Sequence, residues 1–246
     1  MLNIETNYAT FIAYLEHYIE REGIENLIEY LQNTDIMTAP ASSKYSLSEV
    51  GGLVQHSINV FLKMVELFKA EYGEEDFPYS KESIALVSLL HDISKVNYYE
   101  QAVRNVKNDD GEWVKEHYYR VKDQEERMFY GNAAQNTIYI LNTFFRLTYD
   151  EEIAILYHAG TFDTETNSAN VMRAFSNNKL ALFLHLADMY ATCNPKRNEY
   201  VEEDELDSEV EETVGEEENI TPDNLPSPDE VVFQAAIPKE ENVEES

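Results

Sequence analysis

Three observations predict an all-α helical bundle with a small inserted β-hairpin and a disordered acidic C-terminal tail. Apolar residues recur at three- and four-residue spacing through most of residues 1–198, the mark of helices burying one face. One stretch, 98–121, loses that period and carries Asp-Asp-Gly between two β-favouring arms. From Val201 onward, 18 Asp and Glu residues accompany one basic residue, Lys239.

The elements follow in order. "YATFIAYLEHYIE" and "GIENLIEYLQ" predict two short helices, and "NTDIMTAPASSKY" has the Pro and Ser content of a connector. Ser46 and Glu49, at capping-box spacing, predict the start of a long helix. It runs to about Glu71 through Leu53, Ile58, Phe61, Val65 and Phe68. A helix over 81–94 precedes the hairpin, and another over 132–145 follows it. Thr148 and Glu151 repeat the capping-box spacing and open a helix over 149–159. The last helix, about 177–193, is apolar almost all round and is expected to be buried.

Charge divides the chain into a helical domain, 1–198, and an acidic tail, 199–246. From Val201 onward the tail holds −17 of the total −30, leaving −13 on the residues before it. A segment such as "VEEDELDSEVEETVGEEEN" has too little apolar surface to offset the entropy of ordering. Only "EVVFQAAIP", 230–238, offers something to dock on a protein partner. An acidic body has no basic stripe for a long nucleic acid, so no long nucleic-acid partner is expected, while small phosphorylated substrates stay open. The start lacks a basic, apolar leader, and no stretch reaches membrane-spanning length, so a cytoplasmic protein with no membrane partner is expected. Cys193 is a single cysteine with nothing marking it as a nucleophile.

The chemistry lies in "LLHDISKVN", where His91 and Asp92 end a fully apolar run. A buried carboxylate without a partner costs several kcal/mol, so Asp92 needs a cation or donors. His56 sits on an inward face with Leu53, Val60 and Met64, and Asp188 lies in the most apolar helix, three residues after His185. Each of these groups alone is readily satisfied by the backbone. Together, two histidines and two aspartates from three helices form a mixed N/O shell suited to a divalent ion such as Mn, Fe, Zn or Mg, with Co and Ni also compatible.

"GGLVQHS", "LLHDISK", "YHAG" and "LHLAD", in that order, resemble the HD-domain superfamily of metal-dependent phosphohydrolases, over about residues 30–192. The resemblance implies an HD-type helical bundle and makes His56, His91, Asp92 and Asp188 the metal ligands. It also implies that Lys95 contacts the substrate phosphoryl group. On spacing alone Lys95 is equally a cation near a helix end. One departure stands out: related chains carry a further His where this one reads "YGNAAQNT", so one tightly bound ion is expected. His158 can hold a weaker second ion, donate to phosphate or protonate a leaving oxygen, and otherwise it is a structural histidine. Arg104 and Lys44 lie in segments that can rim the pocket and are candidate substrate contacts. His17 and His117 have no such context.

The activity this implies is metal-dependent hydrolysis of a phosphate ester of a nucleotide or similar small molecule. Asp92 would orient the attacking water, and Lys95 would balance charge on the phosphoryl oxygens. Two alternatives stay open: a phosphodiesterase or exonuclease acting on cyclic or short oligonucleotides, and a non-catalytic nucleotide-binding module.

Overall fold

The computed structural model describes residues 2–73, 77–108, 111–127, 129–162 and 167–197; the expected acidic tail lies outside them. Eight α-helices and one two-stranded antiparallel sheet occur among the described residues. In chain order they are α1 (Ile4–Tyr18), α2 (Ile24–Gln32), α3 (Gly52–Tyr72), α4 (Lys81–Leu90), β1 (Tyr99–Lys107), β2 (Trp113–Val121), α5 (Ala133–Phe144), α6 (Tyr149–Tyr157), α7 (Ser168–Asn177) and α8 (Lys179–Cys193). None is long and apolar enough to cross a membrane.

Local chemistry accounts for most helix starts. Asn3 accepts from the Thr6 amide and opens α1 four residues before the apolar period becomes visible. Ser80 accepts from Ser83 at the start of α4, and Thr148 and Glu151 form the reciprocal capping box of α6. Ser46 and Glu49 do not form the second box. They lie in a turn, and α3 begins at Gly52 after Gly51, whose φ of 78° is left-handed. Gly52 allows a close approach: a Cβ there would stand 2.0 Å from the Leu47 carbonyl oxygen. Both glycines of "VGGLVQHS" therefore dock the connector against the base of α3.

Two other boundaries differ from expectation. The helix expected over 81–94 stops at Leu90, and a 3₁₀ turn occupies 93–95. Helix α7 was not expected, because it is short and polar on balance, with only Val171 and Ala174 buried. Asn178 then separates α7 from α8, its side chain accepting from Ala181 and donating to the Asp150 carbonyl. Leu186 and Tyr190 are exposed, so α8 has one open side rather than complete burial.

Helix α3 runs through the middle and packs on α1, α4 and α8, while α6 lies on α8 and α5 covers α6 and the 93–95 turn. Its Phe61 and Phe68 join Phe11, Leu15, Leu27, Leu86 and Leu184 in one core. Truncating either phenylalanine of α3 to alanine should cost about 3–5 kcal/mol. Arg21, just past α1, grips Glu151 of α6 at 2.5 and 2.8 Å, and Ser83 of α4 donates to the same carboxylate at 2.7 Å. The hairpin pairs β1 with β2 from Tyr99 opposite Val121 to Lys107 opposite Trp113.

Candidate metal centre

Four elements deliver five buried or half-buried side chains to one spot. His56 comes from α3, His91 and Asp92 from the end of α4, His158 from the end of α6, and Asp188 from α8. His56 Nε2 lies 3.1 Å from Asp188 Oδ1 and 3.8 Å from Asp92 Oδ2. His91 Nε2 lies 3.4 Å from Asp92 Oδ2, and His158 Nε2 is 3.7 Å from Asp92 Oδ1. The five fall into two overlapping groups with metal-ligand spacing: His56, His91 and Asp92, and His91, His158 and Asp188.

The early end of α4 builds this geometry. Asp92 has left the helix, with φ −110° and ψ 15°, and its carboxylate turns toward His91 and Lys95 rather than splaying along a helix surface. Lys95, in the following turn, donates to Asp92 Oδ2 at 2.6 Å and to the Ala41 carbonyl at 2.8 Å.

Backbone contacts set the histidine tautomers. His91 Nδ1 faces the Ser88 carbonyl at 2.9 Å and His158 Nδ1 faces the Ile155 carbonyl at 2.7 Å. A carbonyl only accepts, so each Nδ1 carries a proton, and in the neutral ring it is Nε2 that presents its lone pair toward the centre. His91 Nε2 is buried with no hydrogen-bond partner among the described residues. A buried nitrogen lone pair aimed between two carboxylates fits a cation.

The charge balance agrees. Burial pushes the Asp92 carboxyl up, but Lys95, His91 and His158 hold it well below the usual carboxylate range. Burial likewise opposes ionisation of Asp188, and His56, then His91 and His158, bring its value down. Burial disfavours charged His91 and Lys95, yet their neighbours, Asp92 foremost, raise both. His158 is lowered by burial and by the charge of His91. Two buried carboxylates beside one lysine leave room for added positive charge.

The centre forms the floor of a cavity of about 360 Å³, reached also by Lys95, Asn132 and Thr192 and walled by Ala41, Ser42, Tyr45 and Ser46 on one side and Ala133, Ala134 and Ala159 on the other. Arg104 and Lys44 do not line it. Arg104 is spent in the hairpin on Glu116 at 2.5 Å and on the Tyr118 ring, and the Lys44 side chain is exposed. Asn132 caps α5 by accepting from Gln135.

His185, placed by spacing on the side of Asp188, belongs to neither metal-spaced group. Its Nδ1 donates to the His158 carbonyl at 2.6 Å, and its ring stacks on Phe175 at 4.9 Å. Gly160, with φ 60°, makes room: a Cβ there would stand 2.7 Å from His185 Cε1. The glycine of "YHAG" was the available signal for this close approach.

Compared with known proteins, the chain matches no family model, no curated protein and no solved structure.

Proposed function

We propose that this protein is a metal-dependent phosphohydrolase of the HD type, acting on a phosphate ester of a nucleotide or similar small molecule. The observation that carries the reading is the convergence of His56, His91, Asp92 and Asp188, with the His91 Nε2 lone pair buried among them without a hydrogen bond. These four residues would hold a divalent ion, which supplies Lewis acidity and an activated water. Lys95 stands beside Asp92 with its ammonium group facing the cavity, where it would bind a phosphoryl oxygen and balance developing charge. Asp92 would direct the water through its second oxygen. His158, with Nε2 toward the cavity and its pKa lowered by burial, would bind phosphate or pass a proton to the leaving oxygen.

The test is elemental analysis of the purified protein followed by a phosphate-release screen with Mn, Mg, Co, Ni and Fe in turn. Metal-dependent release that disappears in Asp92→Ala is the expected result. Tight nucleotide binding without turnover would favour the binding-module reading. Cleavage of cyclic or short oligonucleotides alone would favour the diesterase.

A further inference from the structure

We infer that the cavity takes a phosphomonoester joined to a flat ring, a nucleoside monophosphate in preference to a triphosphate, and that Tyr45 receives the base. This rests on the phosphohydrolase reading above and narrows its substrate class.

The first argument is charge. Lys95 is the one Lys or Arg lining the cavity among the described residues, and it already faces Asp92. The internal segments outside the description, 74–76, 109–110, 128 and 163–166, contain no Lys or Arg at all. Lys95 and a divalent ion, set against Asp92 and Asp188, leave at most about one positive charge, too little to hold more than one phosphoryl group. The additional phosphates of a triphosphate would find no cation on the cavity wall.

The second argument is shape. A cavity of about 360 Å³ is at the small end of sites for single small molecules, which span roughly 300–1,000 Å³. Ala133, Ala134 and Ala159 are among the residues that line it, and small side chains take up little of the space a ring needs.

The third argument is Tyr45 itself, an aromatic residue 81% exposed at the cavity lip. Its loop is held firmly. The Tyr45 amide donates to Ser42 Oγ at 2.9 Å, the Ser42 hydroxyl donates to the Ser46 carbonyl at 3.0 Å, and the Ala41 amide donates to the Leu47 carbonyl at 3.1 Å. Lys95 donates to the Ala41 carbonyl, so the loop carrying the ring hangs from the lysine that would bind phosphate. The backbone that carries Tyr45 is thereby tied to the phosphate-side lysine, while the exposed ring is free to settle on a base at the cavity lip.

The experiment is calorimetric titration of the full chain, supplemented with Mn, using adenosine 5′-monophosphate, adenosine 5′-triphosphate and ribose 5-phosphate, with phosphate release followed in the same samples. The monophosphate should bind more tightly than the triphosphate, and at least about fivefold more tightly than ribose 5-phosphate, the lower limit for one stacked base. In Tyr45→Ala the ratio of the nucleotide and sugar phosphate affinities should fall to about one, and Tyr45→Trp should keep it high. Tighter binding of the triphosphate, or an unchanged ratio in Tyr45→Ala, overturns the inference. Binding as expected without phosphate release overturns the hydrolase reading and leaves the ligand class standing. No binding of any of the three compounds overturns both.

Discussion

His185 donates its Nδ1 proton to the main-chain carbonyl of His158 across 2.6 Å, so a histidine outside the candidate metal centre fixes the backbone of one inside it. His158 follows the last residue of α6, where the helix no longer constrains the chain by itself. His185→Ala should leave that carbonyl without its partner and cost about 1–3 kcal/mol in denaturant unfolding. Phosphate release should fall as well, and His185→Asn, which keeps a donor, should recover part of it. Full activity in the alanine variant would show that His158 is held by other means or is not used.

The Arg21–Glu151 pair gives a second prediction, about stability. Burial opposes the charged carboxylate, but Arg21, Ser83 and the Thr148 amide together hold Glu151 below its ordinary value of 4.5. A depressed carboxyl stabilises the fold above the unfolded value, and that stability drains away as pH falls through the lower folded value. Unfolding free energy should therefore decline below about pH 4.5, and Glu151→Gln should flatten its share of the decline. Glu151→Ala leaves Arg21 with Glu82 and the Arg146 carbonyl and should cost about 1–3 kcal/mol near neutral pH, read by chemical denaturation.

Metal stoichiometry is the third prediction. His91 belongs to both groups with metal-ligand spacing, so a second ion beside His158 would have to share it with the first, and the Asn132 side-chain oxygen is committed to capping α5. Elemental analysis after dialysis should give one divalent ion per chain, and Asp92→Ala should lose it while keeping its helical circular dichroism. Two equally tight ions would contradict this.

Removal of residues 199–246 supplies the fourth. Every side chain of the centre and of the described core precedes that segment. The shortened protein should unfold within about 0.5 kcal/mol of the full chain and keep its phosphate release; a loss above about 2 kcal/mol would mean that the tail packs on the body.

Much of this fold was legible because strong periodicity and short-range chemistry coincided. The hairpin followed from Asp-Asp-Gly between β-favouring arms, and α6 from Thr148 and Glu151. Ser46 and Glu49 carried the same spacing but were overruled by contacts with the earlier connector, since the Gly51 and Leu53 amides donate to the Thr38 and Ala39 carbonyls. The residues of the centre were readable as buried polar groups on apolar helices. Their convergence required α4 to stop at Leu90, which no residue in "SLLHDISK" announces. His185 and Tyr45 escaped for opposite reasons. One acts on a backbone atom far along the chain, and the other belongs to a loop whose course is set by contacts with α3 and Lys95.

The endings of α4 and α6 have a consequence for the order in which ligands arrive. His91 and His158 are the terminal caps of these helices, so both helices turn their partly negative poles, about half an elementary charge each, toward the same small volume. Asp92 and Asp188 reinforce that field. A phosphate approaching this corner without a cation meets repulsion from four sources, with Lys95 alone opposing it. Under the proposed function, substrate occupancy would therefore be tied to metal occupancy. By thermodynamic reciprocity, a phosphorylated ligand that benefits from the ion must also tighten the protein's hold on it, making the local metal supply a throttle on the site.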